Sequence, residues 1–302
     1  MLKNSLKKIA SDSVIYGLGG ILNRLLSFFL IPLFTKHLKP EDYGIMAMIS
    51  LVNVALSGVF TLGTGNSMGI HYFETECYKD RDNIIWTNTL LLLINAAILA
   101  CICIWISSYL SMILLKSAEY SLYISLGIVA LALQSIGTPL VSYLRIGNKP
   151  WHFLCLTIFS SIITIMLNIY VVVILDKGIQ GMLVVSVVSA LIYIFVLTFM
   201  VARHVTFGFD FKWISKLIKT GWPSIFGVGA FFFVDWADRA FVQHFCGLEK
   251  LGLYSLGYNF GMIMILFAEG SFGSAWPPFF MSFINRRDEA RLVFGKIFKY
   301  AL

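Results

Sequence analysis

Charge is what this chain has least of. Only 13% of its 302 residues are Asp, Glu, Lys or Arg, and 58% are hydrophobic; an average soluble domain carries about a quarter charged residues. At a mean hydropathy of +0.82, so few charges cannot cover the apolar surface in water. An ordinary soluble domain and a disordered chain are both excluded. The five cysteines (Cys77, Cys101, Cys103, Cys155, Cys246) are scattered, with no CxxC pair and no Cys/His metal spacing. That argues against a disulfide framework or a zinc centre and leaves the thiols as small buried hydrophobes. No GxxxxGK(S/T), HExxH or GxSxG pattern is present, and Gly17-Leu18-Gly19-Gly20 lies inside an apolar run, where a dinucleotide loop has no place. No cofactor, metal or enzymatic activity is therefore expected. The net charge of +7 is dispersed between apolar runs, so it marks membrane topology rather than a nucleic-acid surface.

What the chain does have is length without charge. A helix crossing roughly 30 Å of hydrocarbon needs about 20 apolar residues. Eight segments qualify, 14–35, 43–66, 84–107, 120–144, 152–175, 178–202, 217–242 and 251–276, and the start of a ninth stands near Ala290. The expected fold is an all-α, polytopic membrane bundle. The first run is too long for a cleavable signal and carries Asn23 and Arg24 at its middle, so it is expected to remain as a span. With the N-terminus inside, sixteen of the 23 Lys and Arg lie on the cytoplasmic side and five outside, which sets the expected orientation. Residues 1–13 read either as an amphipathic segment on the inner leaflet or as a solvated tail.

A repeat organises these spans. Phe34-Thr35-Lys36-His37-Leu38 returns as Phe241-Val242-Gln243-His244-Phe245, an offset of 207 residues. Tyr43-Gly44-Ile45 returns as Leu251-Gly252-Leu253, now at 208. Six spans separate the copies, so both halves enter the membrane in the same direction, as in parallel repeats about an axis along the membrane normal with a central cavity between two lobes. The expected division is a first six-helix lobe at 14–202, a basic and aromatic linker at 203–216, and a partial second lobe at 217–302. By this count the chain is expected to be part of a protein of twelve to fourteen spans.

Ionisable groups within spans are costly and mark pathways or pairs. Spans one to six have no interior carboxylate, so the first lobe lacks the acid that an organic cation would need. Arg24 beside Asn23 is instead a fixed donor suited to a phosphate, or an arginine tied to helix-end carbonyls. Asp235 and Arg239 stand at i, i+4, either as a local ion pair or, with Asp238, on the wall of the outer mouth. Glu269, without a charged partner three or four residues away, is a candidate for ion coupling together with Asp235, or a carboxylate wetted by the cytoplasm. Glu74, Glu76, Asp80 and Asp82, mixed with Lys79 and Arg81, read as a solvated face. Asn53, Asn66, Asn88, Asn95, Gln134, Asn168 and Asn259 serve either a hydrated path or helix association. Pro32 and Pro223 are candidate bends in the first helix of each half.

Ile31-Pro32-Leu33-Phe34-Thr35 followed by Leu38-Lys39-Pro40-Glu41-Asp42-Tyr43-Gly44, Ala237-Asp238-Arg239 followed by Leu251-Gly252-Leu253-Tyr254-Ser255, and Ala275-Trp276-Pro277-Pro278-Phe279 together resemble the polysaccharide-repeat-unit (O-antigen, capsule or exopolysaccharide) flippases. Their superfamily also holds lipid II flippases and multidrug exporters. The resemblance implies alternating access between two lobes, carrying an undecaprenyl-diphosphate-linked oligosaccharide from inner to outer leaflet. It implies membrane lipids and other polysaccharide-assembly proteins as partners, with Arg24, Asp238 and Arg239 in matching positions. A cation-coupled small-molecule exporter of the same superfamily and a membrane polysaccharide polymerase are the alternatives.

Overall fold

A computed structural model describes residues 30–147, 149–281, 283, 290, 291 and 293–295. The side chains of 263–278 and 281 lie outside that description, as do the 1–13 segment, the first span up to residue 29 and most of the stretch beyond 281.

The described residues form helices and no strand. The helix α1 (Pro40–Phe60) starts where Pro40 fixes φ and where the backbone N–H of Lys39 donates to the Asp42 carboxylate at 2.8 Å, a cap that also sets two acids against the helix dipole. It ends in a turn through Leu62 (φ 50°) and Gly63 (φ 63°) and resumes as α2 (Thr64–Glu74). Then follow α3 (Tyr78–Trp105), α4 (Ser107–Leu115), one tight turn at Ala118–Tyr120 and α5 (Ser121–Ile146). The sixth helix, α6 (Pro150–Asn168), widens into a π turn at Ile169–Ile174 before α7 (Gly178–Ala202). Beyond the linker lie α8 (Phe211–Gly221), α9 (Pro223–Asp235) and α10 (Ala237–Met281), the last broken at Gly247 (φ 84°, ψ 174°).

Among the described residues, six segments are long and apolar enough to cross a membrane: Pro40–Glu74, Tyr78–Trp105, Ala118–Ile146, Pro150–Ile174, Gly178–Ala202 and Phe211–Asp235. They correspond to expected spans two to seven. The second runs on past residue 66 as α2, and the seventh begins in the expected linker and is interrupted at Trp236 (φ −130°). On α3, Leu92, Ala96 and Cys103 are buried while Ile94, Ile98, Ile102 and Trp105 are exposed, one stripe facing protein and the other facing outward as lipid requires. The thiols are not uniformly core: Cys77, Cys101, Cys155 and Cys246 are exposed and only Cys103 is buried, and for Cys101 and Cys155, which lie within membrane-length segments, the reason is the same. Hydrocarbon outside the bundle satisfies an apolar side chain as well as the interior does.

Two clusters hold the bundle. One, at the Glu74 end, joins Met68, Ile84, Leu140, Leu197 and Leu217 from α2, α3, α5, α7 and α8. The other, at the Pro40 end, joins Ile45, Met48, Ala96, Ile128, Leu183 and Leu251, so α10 shares a core with α1, α3, α5 and α7. There the repeat becomes geometry. A Cβ on Gly44 would fall on the Leu248 carbonyl oxygen, and a Cβ on Gly252 on the Pro40 carbonyl oxygen. Both partners are related by the same 208-residue offset. This reciprocal pairing is what a local two-fold relation produces, and it joins the first turns of α1 to the part of α10 that follows the break at Gly247.

Candidate functional site

Among the described residues, the junction between α9 and α10 gathers a connected charged group around Arg239. The break at Trp236 leaves the Asp235 carbonyl without its helical donor, and Nη1 of Arg239 donates to it at 2.5 Å. The same nitrogen is 3.2 Å from Oδ1 of Asp238, whose other oxygen accepts from the Tyr254 hydroxyl. The guanidinium carbon lies 4.1 Å from the Trp236 ring centroid and 4.4 Å from that of Tyr258, a stacked geometry that suits arginine and not lysine. Arg239 is 4% exposed. The i, i+4 ion pair expected with Asp235 is therefore not the one formed: Asp235 supplies its backbone carbonyl, its side chain is exposed, and the carboxylate partner is Asp238.

The other expected site residues are distributed differently. Asn23 and Arg24 lie outside the described residues, and so does the side chain of Glu269 on α10. Asn95 is helix glue, since its amide donates to the Val59 and Phe60 carbonyls at 3.0 and 2.9 Å and closes the end of α1. Asn66, Gln134 and Asn259 are exposed. Asn88 is fully buried on α3, with neither Oδ1 nor Nδ2 bonded among the described residues. Pro223 opens α9 rather than bending it, and Pro139 is buried inside α5.

A polar connection that sequence reasoning set aside as a solvated face ties the linker down. Asp82 accepts from the backbone N–H of Thr206 at 3.0 Å and from its hydroxyl at 2.5 Å. Asp80 holds Lys212 at 3.1 Å, the Trp86 indole donates to the Val205 carbonyl at 3.4 Å, and Thr87 accepts from the Asp210 N–H at 3.1 Å. On α2, Ser67 donates to the Leu217 carbonyl at 2.8 Å. His71 reaches Glu74 at 2.9 Å through Nδ1 and Thr220 at 3.1 Å through Nε2. The turn at Gly63 meets the backbone of Gly221, where a Cβ on Gly63 would overlap the Gly221 carbonyl. The only sequence signal was Asp82, Trp86 and Thr87 at i, i+4, i+5, one face of a helix start.

One carboxylate of this strap is expected to make it sensitive to acid. Hydrogen bonds from Lys212, first from its backbone N–H and then from its ammonium, hold the Asp210 carboxyl below the usual carboxylate range. A depressed carboxylate contributes stability above its unfolded pKa of about 4 and loses it as the pH falls through the lower folded value. The hydrogen-exchange protection of 205–212, taken relative to the intrinsic rate at each pH, is expected to fall on acidification below about pH 4, and that of Asp210→Asn to be low throughout. Equal acid sensitivity in wild type and variant would remove Asp210 from the strap.

A family model described as polysaccharide biosynthesis protein matches residues 9–283. The "Lsg locus putative protein 1" of Haemophilus influenzae is 24% identical over 305 aligned positions, which cover 98% of this chain and 71% of that protein. Among solved structures, the MATE multidrug transporter DinF-BH is similar, with a TM-score of 0.74 and 12% identity over 92% of this chain. A MATE structure in complex with MaD3S gives a TM-score of 0.73 at 15% identity over 97% of this chain. The chain spans 65% of the first of these structures and 70% of the second.

Proposed function

This chain belongs to the polysaccharide biosynthesis protein family, and from that premise we propose that it forms part of a flippase for a lipid-linked oligosaccharide. It is a multi-spanning membrane protein with the fold of MATE transporters. The observation that carries the proposal is the family match over residues 9–283 joined to the reciprocal contact of Gly44 and Gly252. Two similarly directed halves that share one close contact can rock about it and open a path between them.

A polyprenyl tail remains in the bilayer throughout such a step, so only the diphosphate and sugars need a wet route. The protein lowers the desolvation barrier of the headgroup and no bond is made or broken. Arg24, cationic at every physiological pH and set in the middle of an apolar run, is the anchor we assign to the diphosphate. Arg239 is enclosed by Trp236, Asp238 and Tyr258, and we assign it to building the second lobe's wall. Cytoplasmic placement of the N-terminus and of the linker follows from the distribution of basic residues and belongs to the same proposal.

In cells carrying the full coding sequence, Arg24→Ala is expected to abolish surface polysaccharide while the protein still inserts, with lipid-linked repeat units accumulating inside. Normal surface polysaccharide would remove Arg24 from the mechanism. Unchanged polysaccharide combined with drug sensitivity in Asp235→Asn would favour the small-molecule exporter instead.

A further inference from the structure

The eleven residues of α8 carry three stripes. Trp213, Leu217 and Gly221 are buried against the first lobe. On the opposite face, Phe211, Ser215, Ile218 and the flanking Trp222 repeat at i, i+4, i+7 and i+11, and Phe211 is 76%, Ile218 36% and Trp222 51% exposed. Between these two stripes run Lys212, Lys216 and Lys219, all exposed. Trp222 packs edge-on against Phe226 at 5.4 Å, and Phe226 is itself exposed. The outward apolar stripe of α8 therefore continues into α9, the rest of the membrane-length segment Phe211–Asp235. Such a continuous stripe, in a segment of membrane-spanning length, suits a hydrocarbon boundary. That fixes the lysines beside it at the polar boundary, where long stems lie along apolar surface and ammonium groups reach out.

We propose that α8 is an anionic-phospholipid binding element, with Phe211, Ile218 and Trp222 in the acyl boundary and Lys216 and Lys219 on the lipid phosphates. Lys212 is committed to Asp80 and Asp210 at 3.1 Å each, whereas Lys216 and Lys219 form no salt bridge among the described residues, Lys216 lying 4.6 Å over the Trp213 ring. Beyond Asp210, bound to Lys212, α8 has no acid of its own to repel a phosphate. Because Gly221 abuts the turn at Gly63, lipid held there grips the strap joining the two halves, whatever the cargo.

The test is hydrogen exchange of residues 203–222 in the full chain, reconstituted in nanodiscs of phosphatidylcholine alone or mixed with phosphatidylglycerol. Exchange is expected to slow on the order of thirtyfold with phosphatidylglycerol, the scale set by two lysines near an anionic surface. High salt should reverse the effect, Lys216→Glu with Lys219→Glu should abolish it, and Arg at both positions should retain it. Equal exchange in the two lipid mixtures, or a difference that survives the double Glu variant, overturns the proposal. If that variant does not insert, the salt reversal in wild type decides alone. Protection that arises only with an added acidic protein, and not with phosphatidylglycerol, also overturns it.

Discussion

Gly252→Val is expected to cost about 3 kcal/mol of folding stability or more, because the added carbons would have to displace backbone rather than a side-chain end. The Pro40 carbonyl already stands where a Cβ would go, and Pro40 is held in place by the N-terminal cap of α1. Gly44→Val meets the Leu248 carbonyl and should cost about the same. The two effects share one contact. Once the helices have moved apart for the first valine, the second finds space, so the double variant should cost clearly less than the sum. Gly229 on α9 has nothing within 4 Å of its Cβ position, and Gly229→Ala should gain about 0.5–1 kcal/mol from helix propensity. Thermal unfolding of detergent-solubilised protein measures all four. A Gly252→Val protein as stable as wild type, or strict additivity, would refute the reciprocal contact.

Arg239→Ala is expected to lose about 3 kcal/mol or more, since it removes the two ring contacts and strips Asp238 of its cation. Arg239→Lys should lose most of the same amount, because an ammonium cannot stack between Trp236 and Tyr258 while reaching the Asp235 carbonyl. Asp238→Asn leaves a guanidinium 4% exposed without its carboxylate, again a destabilised protein. Combining Asp238→Asn with Arg239→Met removes both charges and should be more stable than either single variant. The same unfolding measurement distinguishes a wall-building arginine from one that waits for substrate. If Arg239→Ala unfolds like wild type yet eliminates transport, Arg239 is a ligand group and our assignment of it fails.

These two sites were unequally visible in the sequence. The 207- to 208-residue offset pointed to Gly44 and Gly252 as equivalents, because glycine at the start of a helix can be read without coordinates. That each would lie against the other's neighbouring carbonyl could not be read. At Arg239 the sequence offered Asp235 by helical spacing, but the chain breaks at Trp236, and a broken helix no longer obeys i, i+4. The partner Tyr258 lies beyond the reversal at Gly247 and has no fixed spacing to Arg239.

The sequence by itself determined that this is a bundle of membrane-length helices, and roughly where the second to seventh spans begin and end. Lipid imposes one length and one polarity on every crossing, and that requirement is written residue by residue along a single strand. The tertiary structure alone decided where the scattered polar groups go. Asp80 and Asp82 look like solvent-facing acids until residues 205–212 are laid across them, more than 120 positions away. A hydrogen bond has no period along the chain, only a direction and a distance of about 3 Å, and those exist only once the helices have packed.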